Sequence, residues 1–285
     1  MLKMLLIGAL AATTPQQTDT TVAVRPGGSL QLENRQGSVT VRTWDRSELR
    51  VRARHDGQAR VRIDATGRPA SDIRVESDGW RRGGVRTIDY EVTVPRRFSV
   101  NLEGVSLRID VADLEGDVGA ESINGAVTVR GVNGDIRIEA MQSRVTVTSS
   151  RGSLSAEGTN ESIQVDGFEG DIAVDNVNGN LILTGISARQ VTAETVNGRV
   201  EFSGTLHADG RYALSTHNGD VILGVPDGTN ATIEIETFLG SIDAEFPVEM
   251  RRSGRNRASF AIGDGGGARV SIESFGGPIR IRRVR

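Results

Sequence analysis

Residues 114–185 read LEGDVGAES, INGAVTVRG, VNGDIRIEA, MQSRVTVTS, SRGSLSAEG, TNESIQVDG, FEGDIAVDN, VNGNLILTG, eight nine-residue units without a gap. The fifth position is aliphatic throughout: Val118, Val127, Ile136, Val145, Leu154, Ile163, Ile172 and Leu181. The seventh is always Ala, Val, Ile or Leu, from Ala120 to Leu183. Alternation at five and seven predicts a short strand with one face turned inward, here Ile136, Ile163, Ile172 and Leu181 among others. Asn-Gly and Glu-Gly at positions two and three predict a turn, since glycine tolerates positive φ.

One unit is too short to close a coil. Two units, eighteen residues, would make a flattened coil of two strands and two turns. Position two of alternate units tests that pairing, because it reads Asn124, Gln142, Asn160, Asn178, Asn197 and Asn218. The other set reads Glu115, Asn133, Arg151, Glu169, Ser187 and Leu206. An unbroken amide column in one set only is explained if alternate units stack in register, with the amides bonded from coil to coil. The expected fold is therefore all-β: a parallel β-solenoid of about 18 residues per coil, with an N-terminal antiparallel β cap.

The period reaches upstream to Val100 with Leu102. Downstream it continues, with small insertions, through Val191, Val200, Tyr212, Val221, Ile233 and Ile242. This places the solenoid at residues 96–245. Residues 246–285 then form an insertion and closing strands, Val270 with Ile272 and Ile279 with Ile281. Residues 20–95 lack the nonapeptide and read as a small antiparallel sheet over the first coil, with strands near Ser38–Arg42, Glu48–Ala53 and Arg60–Ile63. His55-Asp56-Gly57 and Ser77-Asp78-Gly79 read as hairpin turns. An open solenoid end is an unpaired strand edge, so a cap is required. No helix is expected.

The N-terminus, MLKMLLIGALAATTPQQ, has one lysine and then an apolar run to Ala12, with Ala9-Leu10-Ala11 fitting a small-x-small cleavage site. Residues 1–12 are expected to be a signal peptide, and the protein exported to the periplasm or cell surface. The run is too short to span a bilayer. Cysteine is absent, which excludes disulfides and thiolate sites. Charge is unevenly spread. Residues 25–97 carry 16 Arg against 10 acids, residues 98–249 carry 8 Arg against 24, and residues 250–285 carry 9 Arg against 2. The basic ends lack interleaved aromatics, and export argues against a nucleic-acid partner.

The run LENRQGSVTVRTWDRSELRVRA, then YEVTVPRRFSVNLEGVSLRIDV, the VNGD-type units and a final GGPIRI resemble the bacterial putative-adhesin family, a domain of unknown function with glycine-punctuated β-repeats. The resemblance spans roughly residues 20–285. It implies a β-repeat architecture and suggests adhesion, and it carries no catalytic residues. Fold does not establish function.

Motifs for chemistry are lacking. His55, His207 and His217 share no metal-ligand spacing, no G-x-S-x-G elbow occurs, and the repeat is not the calcium-roll nonapeptide. One surface pattern stands out. In the units without the amide column, position eight reads Glu103, Glu121, Glu139, Glu157, Asp175 and Glu194, and position four adds Asp117, Asp135 and Asp171. The stripe is the candidate site. It is either a solvated face or a weak site for divalent cations or a cationic ligand. No other cofactor is implied. The expected function is a non-enzymatic adhesion or envelope-interaction surface whose ligand is protein or polysaccharide. An end-to-end polymerising envelope scaffold and a carbohydrate-active β-helix enzyme remain open as alternatives.

Overall fold

The computed structural model describes residues 16–55, 60–77, 87–245, 249–253 and 256–284, and side-chain surroundings for all of these except 16 and 249–253. The expected signal peptide lies outside the described residues. Among them there are eighteen strands and no helix. The N-terminal strands are β1 (Gln16–Trp44), β2 (Glu48–His55), β3 (Val61–Gly67), β4 (Ala70–Ser77) and β5 (Ile88–Pro95). The long central ones are β6 (Phe98–Ala112), β7 (Val118–Arg130), β8 (Asn133–Gly158), β9 (Ile163–Asn176), β10 (Leu181–Asn197) and β11 (Val200–Asn218). The C-terminal ones are β12 (Val221–Pro226), β13 (Ala231–Thr237), β14 (Ile242–Ala244), β15 (Glu249–Ser253), β16 (Arg257–Ile262), β17 (Ala268–Ser274) and β18 (Ile279–Val284).

The middle of the molecule is the expected parallel solenoid. Val118 faces Ile136, Val127 faces Val145, and Val145 faces Ile163, each an offset of eighteen residues. Many strands are long because they run through a corner, so that one strand serves both sides of a coil. The inward positions are closed to solvent: Ile163, Leu181, Val145 and Val165 are fully buried, with Ile136 and Ile172 nearly so. Burying such a side chain contributes about 1.5–3 kcal/mol, and the stack repeats that gain coil after coil. The amide column is in register from Asn124 and Gln142 onward and is bonded through its side chains from Asn160 to Asn218: Asn178 Nδ2 donates to Asn160 Oδ1 at 3.0 Å, Asn197 to Asn178 at 2.8 Å, and Asn218 to Asn197 at 2.9 Å. The insertion before Tyr212 is absorbed locally. The Tyr212 hydroxyl donates to Ala188 O at 2.7 Å and accepts from His207 N at 2.8 Å.

The expected positive φ is found at the corner glycines Gly125 (147°), Gly152 (128°) and Gly170 (124°), whereas Gly179 and Gly198 are required for a different reason. A Cβ on Gly179 would stand 2.4 Å from Glu161 O, and one on Gly198 2.1 Å from Gly179 O. Coil-to-coil backbone approach, more than backbone conformation, excludes a side chain there.

The ends depart from chain order. Residues 28–41 of β1 form a regular coil parallel to β6, with Leu30 opposite Val100 and Val39 opposite Ile109. On its other side that coil pairs in parallel with β4 and β5. The first coil in sequence is thus second in space. The C-terminal end repeats the arrangement. β17 and β18 lie between β11–β12 on one side and β13–β14 on the other, so Val270 faces both Tyr212 and Ile233. The strands expected to close the stack after Ile242 are instead inserted beneath it. Arg280 Nη1 to Asp220 Oδ2, 2.7 Å, ties the inserted coil to its inner neighbour.

Antiparallel strands do occur at the N-terminal end, as expected: β2 pairs with β1 and β5, and β3 with β4. The turns expected at His55–Gly57 and Ser77–Gly79 extend outside the described residues, and the strands flanking them are not each other's partners. The hairpin is β3–β4, turning between Gly67 and Ala70. At the other end β16 pairs antiparallel with β13, and β15 with β16.

Candidate functional site

Each coil has two corners, and they are built oppositely. At one, the residue before the turn is left-handed: Asp113 (φ 59°), Gly131 (64°), Ser149 (48°), Gly167 (66°) and Gly185 (62°). That twist swings the next residue inward, so Leu114, Val132, Ser150, Phe168 and Ile186 are buried. At the amide corner the equivalent residue keeps an ordinary φ and itself points in. Ser122, Ala140, Asn176, Thr195, Thr216 and Ser274 are buried, and each shorter side chain fills the inward place. The next residue then has to point out. It is nevertheless apolar in most coils: Val105, Ile123, Met141, Val177, Val196, Phe275 and Phe238.

Seven large hydrophobic side chains are exposed among the described residues: Val105, Met141, Val177, Val196, Phe238, Leu239 and Phe275. All but Leu239 belong to this single column, and Leu239 adjoins it. The column ends in an aromatic stack. The His217 and Phe275 ring centroids are 4.7 Å apart and tilted by 10°, and those of Phe275 and Phe238 are 5.1 Å apart and tilted by 6°.

The acidic stripe runs beside the ridge, two residues earlier in each coil. The pairing places Glu103 beside Glu121, Glu121 beside Glu139, Glu157 beside Asp175, and Asp175 beside Glu194. All six expected site residues are therefore in one column. It extends to Glu33 beside Glu103 at one end, and after a break at Ser215 to Glu273 and Glu236 at the other. Glu103 accepts from Asn101 Nδ2 at 2.6 Å, and Glu236 is bridged to Arg257 at 2.9 Å. Glu121, Glu139, Glu157, Asp175 and Glu194 have no side-chain hydrogen bond or ion pair among the described residues. Burial raises the Asp175 carboxyl above its ordinary value. Two unit charges one coil apart, about 4.8 Å, repel by roughly 0.9 kcal/mol in water.

The position-four aspartates are different. Asp117 accepts from Asp135 N at 3.1 Å, Asp135 from Ser153 Oγ at 2.6 Å, and Asp171 from Gln190 N at 3.2 Å. They are ties between coils. Among the described residues no group of three or more His, Asp or Glu is placed to hold a metal ion, since the column offers one carboxylate per coil. His217 stacks in the ridge, His207 lies 3.2 Å from Ser187 Oγ, and His55 lies 3.3 Å from Thr18 Oγ1.

Between stripe and ridge lies a shallow groove floored by the small inward residues. One stretch, of about 410 Å³, is lined by Glu121, Glu139, Met141 and Val177 among others. The next, about 480 Å³, is lined by Glu194, Val196, His217, Phe238, Glu273 and Phe275. The two share Asp175 and Asn176, so the groove is continuous along the stack. The reading of the repeat that found the stripe missed the ridge. Its signal was present in the first position of the amide units.

Parallel coils, two dissimilar corners and inserted terminal coils define a β-solenoid repeat protein with an open groove along one corner. The chain belongs to the Toastrack DUF4097 family, whose model matches residues 28–282. No curated protein matches it. Among solved structures, one from Bacteroides fragilis described as a "putative adhesin" is 13% identical, covering 95% of this chain and 99% of that one, with a TM-score of 0.41. A "putative lipid binding protein" from Parabacteroides distasonis is 10% identical over 95% and 97%, with a TM-score of 0.38. A "putative cell adhesion protein" from Clostridium sporogenes is 12% identical over 95% and 100%, with a TM-score of 0.25. Among the described residues no helix is long and apolar enough to cross a membrane.

Proposed function

We propose that this is an exported, non-enzymatic solenoid that acts as an adhesion or envelope-interaction surface in the periplasm or at the cell surface. The observation that carries the reading is the collection of nearly all exposed large hydrophobics into one ridge along the amide corner, beside acids that have no partner. A solvated face has no use for such a ridge, and its exposure is a solubility cost that a contact would remove. The acids favour a partner bearing positive charge. Divalent cations would act at the stripe as weakly held counterions, since nothing encircles them.

The two alternatives are less well supported. End-to-end polymerisation needs open coil edges, whereas β2, β3 and β16 pair antiparallel with the outermost coils. Glycan cleavage needs two carboxylates facing across a substrate, whereas these repeat along one side.

The test is cosedimentation of the purified chain with isolated cell envelopes. The wild type is expected in the pellet, and a Met141→Ser, Val177→Ser, Phe238→Ser variant in the supernatant. Wild type that stays in the supernatant, or pelleting that the triple variant leaves unchanged, rejects the reading. N-terminal sequencing of protein from fractionated cells tests export, with a start beyond residue 12 expected.

A further inference from the structure

Resting on the proposed contact face, we infer that the partner seated in the groove is a basic amphipathic α-helix of another polypeptide, lying along the solenoid axis. Three features lead to that chemistry. First, the walls differ in kind, in adjacent columns: acids on one side, interrupted at Ser215, and mostly aliphatic or aromatic groups on the other, interrupted at Thr159. A ligand must therefore carry a basic edge next to an apolar one along most of its length, which an amphipathic helix does. Second, the groove runs across the strands, and their backbone groups are already bonded from coil to coil. An extended peptide laid there would find no backbone partners, whereas a helix satisfies its own. Third, the spacings are near one another, drifting by about 4 Å over seven coils. A helix turns every 5.4 Å or so and the coils repeat about every 4.8 Å, a mismatch that flexible Lys and Arg side chains absorb.

Other occupants fit less well. Sugars stack on aromatic faces, but most of the ridge is aliphatic, and the inner faces of His217, Phe275 and Phe238 are covered by one another. Anionic lipid is repelled by Glu121, Glu139, Glu157, Asp175 and Glu194. A second copy offers no helix among its described residues.

The groove from Glu121 to Glu236 crosses eight coils. Seven coil steps of about 4.8 Å give roughly 34 Å, the length of about 22 helical residues. The probe is a labelled synthetic helix of about that length with Lys along one edge and Leu along the adjacent one. Controls are a peptide of identical composition scrambled around the helix and a half-length version. Binding to the full chain is followed by fluorescence anisotropy at low and high salt.

The arranged helix is expected to bind about tenfold or more tighter than the scrambled one, and more tightly than the half-length one. The Met141→Ser, Val177→Ser, Phe238→Ser variant should lose that preference. A Glu121→Gln, Glu139→Gln, Glu157→Gln variant should bind more weakly, with a flatter salt dependence. These side chains are exposed, and unchanged melting of the variants confirms that they fold. Equal binding of arranged and scrambled peptides overturns the inference, because it marks adsorption to an acidic surface. So does ridge-dependent binding to lipid vesicles, or ridge-dependent dimerisation in sedimentation, without a preference for the arranged helix. Envelope cosedimentation is a separate readout. If it persists while the helix preference fails, the partner is wrong and the contact face stands; if both fail, the proposed function falls with it.

Discussion

The two corners of each coil share a sequence position and give it opposite uses. Phe168 and Val177 both open a nine-residue unit, yet Phe168 is 1% exposed and Val177 43%. The difference lies one residue earlier. Gly167 is left-handed and exposed, whereas Asn176 keeps an ordinary φ, is buried, and donates through Nδ2 to Glu161 O at 2.6 Å. One corner closes the core with an apolar side chain. The other closes it with a small or polar one tied to the backbone, and the apolar residue that follows is left on the surface. The exposed ridge is thus a consequence of how the amide corner turns.

The sharpest way to break this comparison is to treat the two positions alike. Phe168→Ala should destabilise by about 3–5 kcal/mol, whereas Val177→Ala should stay within about 0.5 kcal/mol of wild type in urea unfolding. Similar losses at both would mean that the corners are not built oppositely. The glycines give the next largest contrast. Gly179→Ala drives a Cβ against Glu161 O, whereas at Gly167 the nearest atom to a new Cβ is 3.8 Å away and only the positive φ resists. Gly167→Ala should therefore cost roughly 1–2 kcal/mol, and Gly179→Ala clearly more, by melting temperature.

A smaller loss is expected in the amide column. Asn178→Ala removes the bonds to Asn160 and Asn197 on an exposed edge, at about 1 kcal/mol for each. Asn178→Asp should be worse, since a carboxylate cannot donate to Asn160. An Asn178→Ala protein that melts like wild type would show the column to be ornamental.

The smallest effect concerns the acids beside the ridge. The folded-state carboxyl of Asp175 is raised by burial. The stability linked to its proton is therefore fully present below its unfolded pKa and is lost as pH rises through the higher folded one. Asp175→Asn should match wild type at about pH 3 and melt slightly higher near neutrality. A gap that is constant with pH would show that the carboxyl's ionisation does not oppose folding.

Much of the molecule was legible in the chain. Coil contacts in the middle of the chain join residues eighteen to twenty-one apart, so the period, the inward Ile163 and Leu181, the Asn160–Asn218 column and the Glu103–Glu194 stripe all follow from local pattern. The ridge was harder to read. Glycine precedes the turn at both corners, as Gly131 and Gly167 at one and Gly104 and Gly158 at the other, while left-handed Asp113 and Ser149 are not glycine at all. Composition therefore does not reveal which corner turns its next residue inward.

The sequence by itself determined the coil, its inward face and the two columns that a strict repeat must stack. Only the tertiary structure decided the order of the end coils and the direction of each corner. The physical reason is near-degeneracy. Any inward aliphatic pair can stack on any other in parallel register, so Val270 with Ile272 packs as well under Ile233 as after Ile242. The choice falls to particular contacts such as Arg280 with Asp220 and to the antiparallel strands beyond. Corner direction likewise turns on a single φ, which aspartate, serine and glycine all adopt at the left-handed corner, so residue type alone does not reveal it.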